Sequence, residues 1–145
     1  MTLITDIAQR FKTFPVDKVI TDTINEYQTE IVSLNSEKQL FEQGVDSKGN
    51  VITPEYADST KKIKARKGQP VDRVTLKDKG DFHKSFMVKV FQNQFQIDSK
   101  DPKKERLIKK YGPEILGLTQ ESESAFSQTR VKTELQNELK KWLKV

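Results

Sequence analysis

The chain has 145 residues, of which 34% are hydrophobic and 32% charged, with a net charge of +5 and no cysteine. That is one domain with a modest core and a large charged surface. It excludes a disulfide framework and thiolate metal sites, and it fits a reducing cytoplasm. No uncharged apolar run approaches the roughly 20 residues a spanning helix needs. The opening residues lack the basic-then-apolar pattern of a secretory signal. The expectation is a protein made in the cytoplasm, with no membrane partner and no cofactor.

Residues 2–14 read as a short amphipathic helix, with Leu3, Ile7, Ala8 and Phe11 on one face. Phe14-Pro15 ends it, because the residue before proline is pushed out of the α region. Pro15 suits the start of the next helix. Residues 16–43 read as one long helix. Val16, Ile20, Ile24, Tyr27, Ile31, Leu34 and Phe41 form a stripe at steps of three and four, with a polar gap at Lys38. Its weak point lies at residues 33–36. Gly44 is a natural left-handed stop.

Asp46-Ser47-Lys48-Gly49-Asn50 reads as a turn, with Asp46 bonding forward and Gly49 at positive φ. A calcium loop is excluded, since the further carboxylates and closing glutamate are missing. Residues 54–64 read as a short helix capped by Thr53, with Pro54 in its first position. Lys61, Lys62, Lys64, Arg66 and Lys67 form a basic run, followed by a flexible Gly68-Gln69-Pro70 connection that orders only against a partner. Val71, Val74 and Leu76 suggest a brief extended segment. Asp78 is placed as cap of the next short helix, with Asp81 in its first turn. Phe82 and Phe86 face the core.

Residues 86–98 alternate as a hairpin with a Gln92-Asn93 turn. Alone it is marginal, so it must lie on the helices or join another sheet. Asp101-Pro102 opens a helix to Lys110, with Leu107 and Ile108 inward and Lys103, Lys104, Arg106, Lys109 and Lys110 outward. Thr119 caps a last helix carrying Phe126, Val131, Leu135, Leu139, Trp142 and Leu143 at helical spacing. The fold class is therefore α+β: long amphipathic helices packed on a small antiparallel hairpin or sheet. One domain spans 1–145, with helices in 2–43, a loop-rich middle at 44–85, the hairpin at 86–98 and helices in 101–144.

Catalytic chemistry has little to work with. His83 is the only histidine and has no clustered carboxylate. The pairs Asp78/Asp81 and Glu121/Glu123 sit beside helix starts, which account for them. Neither a metal-ligand set nor a nucleophile motif is present, and the reading is non-enzymatic. The basic run at 61–67 and the basic helix at 103–110 offer a second class, a nucleic-acid-binding accessory protein.

One stretch, from Leu40 to Phe86, carries a resemblance. Gly44, Asp46 and Gly49 form a first turn; Thr60 and Lys64 a middle segment; Leu76, Gly80, Phe82 and Ser85 a closing box. In that order the stretch resembles the tail-completion and virion-morphogenesis proteins of tailed bacteriophages. Val51-Ile52 stands where that family often has tryptophan, and Lys79 where it has threonine. The resemblance implies a virion structural protein, a ring subunit of the neck or head-to-tail connector that completes tail or head assembly. Its implied partners are copies of itself, portal, adaptor or tail proteins, and packaged DNA. Lys61, Lys62, Lys64, Arg66 and Lys67 are the candidate contacts to such a partner.

Overall fold

The computed structural model describes residues 3–144. Thr2, at the start of the first expected helix, lies outside them. Helix α1 (Leu3–Lys12) is followed by α2 (Val16–Glu26) and α3 (Gln28–Ser33), which runs on into a wide π segment (Leu34–Gln43). Next come α4 (Asp58–Arg66), α5 (Asp81–Lys84), the strands β1 (Phe86–Phe91) and β2 (Gln94–Ser99), and α6 (Lys104–Tyr111). A 3-10 turn (Pro113–Ile115), α7 (Gln120–Phe126), a π turn (Ser127–Val131) and α8 (Lys132–Leu143) complete it. The architecture is α+β, with helices packed on a two-stranded antiparallel sheet.

The hairpin follows its sequence pattern. Val88 pairs with Ile97 and Val90 with Phe95, so the apolar residues share one face. That face joins Ile24, Ile31, Leu40, Phe82, Ile115 and Phe126 in a single core. Helices α2 and α3 lie over β1, and α8 packs along both α1 and α2.

The long helix expected over 16–43 is interrupted. Tyr27 leaves helical geometry (φ −106°, ψ 27°) and separates α2 from α3. From Leu34 the turns widen, which rephases the buried face away from the apolar stripe. Asn35, Ser36 and Gln39 become buried beside Ile31 and Leu40, while Val16 stays exposed. Buried amides need partners, and both find them eighty residues along the chain. Asn35 Nδ2 donates to the carbonyl of Ile115 (3.1 Å), and Asn35 Oδ1 accepts the N–H of Gly117 (2.8 Å). Gln39 Nε2 donates to the carbonyl of Gly117 (2.9 Å), and its Oε1 accepts the N–H of Thr119 (2.9 Å). Two side chains thus pair an irregular segment as a neighbouring strand would.

Several expected boundaries move. Helix α4 begins at Asp58, not at Pro54, and Thr53 caps nothing. Residues 71–77 form no strand; Val71 is exposed and Leu76 sits at φ +57°. Gly80, not Asp78, holds the cap position of α5. Helix α6 starts at Lys104, and Asp101 instead accepts the N–H of Lys103. Lys104 does not point freely outward but pairs with Asp98 at 2.7 Å. Thr119 caps α7 as expected, accepting the N–H of Ser122 at 3.1 Å.

Helix α1 departs most from its pattern. Phe11, on the expected apolar face, is 59% exposed, and Ile4, outside that face, is 80% exposed. The helix is held at its other end by a clasp with α8: Trp142 Nε1 donates to the carbonyl of Arg10 (2.6 Å), and Arg10 Nη1 donates to that of Leu143 (2.8 Å). The indole also meets Phe14 edge-on at 6.2 Å.

Candidate functional site

The stretch from Leu40 to Phe86 folds into one tied unit. Its first turn is built on Asp46, whose Oδ1 accepts the N–H groups of Lys48 (2.9 Å) and Asn50 (3.0 Å). Val45 bridges Val51 across the turn. Gly44 ends the π segment at φ +63° and lies so close to Arg73 that an added Cβ would stand 2.7 Å from the Arg73 Cβ. Arg73 Nε donates to the carbonyl of Phe41 (2.7 Å). The Phe41 ring lies 4.7 Å from Lys77 Nζ, a cation–π contact that joins the first turn to the closing box. Ile52 is buried just beyond the turn, where the resembling family often has tryptophan.

The middle segment is tied to the same box. The phenol oxygen of Tyr56 accepts the N–H groups of Thr75 and Leu76, each at 3.0 Å. Lys64 is 7% exposed, and its Nζ donates to the carbonyl of Lys77 (3.0 Å) and lies over the Tyr56 ring at 4.8 Å. Lys67 pairs with Asp78 at 2.8 Å, and that hydrogen bond holds the Asp78 carboxyl below the usual carboxylate range. Gln69 Nε2 donates to the carbonyl of Asp78 (2.9 Å). The connection at 68–70, expected to order only against a partner, is thus anchored within the chain.

The closing box launches the core aromatics. Gly80 at φ +93° turns the chain into α5. Phe82 and Phe86 then meet edge-to-face at 4.9 Å. Ser85 Oγ and Ser99 Oγ share a hydrogen bond (2.5 Å) across the base of the hairpin. His83 is buried, with Nε2 at 2.9 Å from the carbonyl of Thr75. Burial and the Lys77 charge lower its pKa, against the opposing pull of the Thr75 carbonyl and Glu37.

Of the basic run, only part is available to a partner. Lys64 is buried, which removes it from the contact set expected of residues 61–67. Lys61 pairs with Glu55 at 3.3 Å and Lys67 with Asp78. Lys62 and Arg66 are exposed, with no ion pair among the described residues. A groove of about 410 Å³ runs between α4 and α6, lined by Tyr56, Lys64, Lys79, Lys103 and Tyr111 among others. Both basic helices therefore border one depression. Among the described residues no group of three His, Asp or Glu is placed to hold a metal ion. Glu121 and Glu123 are exposed in the first turn of α7.

Phe41, read from sequence as part of a helical apolar stripe, and Tyr56, which carried no signal beyond its aromatic character, join the three segments. No family model, curated protein or solved structure matches the chain.

Proposed function

We propose that the chain is a non-enzymatic structural protein of a bacteriophage virion, a ring subunit of the neck or head-to-tail connector. The observation that carries the reading is the closure of the three resembling segments on one another through Phe41, Tyr56 and Lys64. Their polar atoms are engaged in holding main chain. Gly44, Asp46, Gly49 and Gly80 shape turns, and Leu76 and Phe82 fill core, so the matched positions describe a scaffold and not a reaction centre. The exposed Ile4 and Phe11 of α1 and Phe91 at the hairpin tip supply apolar surface for neighbouring subunits. Such subunits associate head to tail, and a ring closes when the rotation fits. The test is immunogold labelling of purified virions, with density expected at the junction of head and tail. Absence of the protein from intact particles would overturn the reading.

A basic nucleic-acid-binding role is the second reading, favoured by Lys62, Arg66, Arg106 and Lys109, none of which has an ion-pair partner among the described residues. In that case affinity for duplex DNA falls steeply with added salt and without sequence preference.

A further inference from the structure

A depression of about 710 Å³ lies beside β2. Six consecutive residues, Asn93 to Asp98, line it. Successive strand residues point to opposite faces, so an unbroken run along a groove means that the strand's edge faces it. No β1 residue lines it. The register gives the polarity of that edge. Gln92-Asn93 is a two-residue turn, so the closing pair Phe91 and Gln94 exchanges both main-chain hydrogen bonds. Alternation then turns the N–H and C=O of Phe95 and Ile97 away from β1 and toward the groove. Neither residue's main chain has another partner among the described residues. Leu118 also lines the groove, and its N–H has no partner among the described residues.

Such groups are costly to leave unpaired, the more so at Ile97, which is 4% exposed. The walls between them are apolar, with Ile20, Ile24, Leu118 and Phe126. Helices and small molecules do not supply main-chain donors and acceptors at every second residue. An extended chain does. The charge of the groove narrows its chemistry. Asp98 is matched by Lys104 (2.7 Å) and Lys89 (2.8 Å). Glu123, also in the lining, has no ion-pair partner among the described residues. We infer that this groove takes an extended segment of a partner protein as a third strand beside β2, apolar at alternate residues and carrying a basic side chain opposite Glu123. This holds independently of any virion role.

The test uses the full chain and two pools of synthetic hexapeptides with Val, Ile or Phe at alternate positions. One pool has Lys and Arg between them, the other Asp and Glu. The basic pool should bind, moving the amide resonances of Phe95, Ile97 and Leu118, and the acidic pool should bind about tenfold more weakly. Glu123→Lys should reverse that order. Phe95→Pro deletes a groove-facing N–H that takes no part in the β1–β2 ladder, while Phe95→Ala removes the ring and keeps the N–H. Phe95→Pro should bind about five- to tenfold more weakly than Phe95→Ala, the effect of one main-chain hydrogen bond. Circular dichroism of both variants checks that each is folded; if Phe95→Pro is not, amide shifts of the parent at Phe95 and Ile97 decide alone. Failure of both pools to bind, or equal binding by the two folded Phe95 variants, would show an edge that is simply hydrated and overturn the assignment. Shifts at Phe95 and Ile97 that grow with protein concentration, without peptide, would give the groove to a second copy and overturn it too.

Discussion

The side-chain oxygen of the buried Asn35 accepts the N–H of the part-buried Gly117 at 2.8 Å, across eighty-two residues of sequence. With its Nδ2 on Ile115, and with Gln39 on Gly117 and Thr119, it makes the π segment the pairing partner of the 115–119 connection. Asn35→Ala would leave the buried Ile115 carbonyl and the part-buried Gly117 N–H without this partner. We expect a loss of about 2–4 kcal/mol, read from urea denaturation. Gln39→Ala should cost a similar amount, and the double variant less than the sum, because the two amides serve one segment. An unchanged midpoint for Asn35→Ala would mean that water replaces the amide without cost.

Two glycines separate two kinds of constraint. At Gly80 the backbone is left-handed (φ +93°), and the nearest atom to an added Cβ is 3.7 Å away. Gly80→Ala therefore meets conformational strain alone and should cost about 1–2 kcal/mol. At Gly44 the same strain is joined by the collision with the Arg73 Cβ, so Gly44→Ala should be the more damaging. Equal midpoints for the two variants would contradict this. Gly80→Val should cost about 1–3 kcal/mol, and Phe82→Ala, which empties a core position, about 3–5 kcal/mol.

His83 gives a pH dependence with a definite sign. Its folded pKa is lowered by burial, so below about pH 6.5 the unfolded chain takes up a proton that the folded chain refuses. Stability should be full above that pH and fall as the pH drops from about 7 toward 5. Measured by denaturant midpoint, the slope should shrink in His83→Gln. The same slope in both proteins would assign the effect to another group.

Asp98 acts in a lower window. Hydrogen bonds from Lys104, then Lys89, and from the Ser99 N–H hold its carboxyl far below the usual range. The stability this contributes is present above about pH 4, the unfolded value, and is lost as the pH falls through the folded one. Asp98→Asn should lower stability at neutral pH and flatten the acid limb below pH 4. A parallel acid limb in the variant would count against the pairing.

The elements readable from sequence are those whose cause is local. Residues 86–98 alternate with period two, Thr119 stands three residues before the N–H it accepts, and Gly44, read as a left-handed stop, sits at φ +63°. What escaped reading depends on contacts made far away. Asn35 and Gln39 look like surface polar residues until the 115–119 backbone arrives beside them. Lys64 sits in a run of solvated lysines and is buried only because the Lys77 carbonyl and the Tyr56 ring receive it. Tyr56 lies before α4, not within it, and its phenol oxygen accepts the Thr75 and Leu76 amides. In α1, Phe11 and Ala8 lie on the expected apolar face, yet both are exposed. Within the basic run, Lys62 and Arg66 are exposed, while Lys61, Lys64 and Lys67 have partners within the chain.

Trp142 is the only tryptophan, and its indole N–H is bound to the Arg10 carbonyl where α8 meets α1. Its emission is therefore a built-in optical reporter of one seam. If α1 lifts to seat Ile4 and Phe11 on a neighbouring molecule, the indole loses its acceptor and the edge of Phe14, and its wavelength and lifetime change while the hairpin at the other side stays dark. The docking state of the first helix can thus be followed in unlabelled protein, in real time, during association.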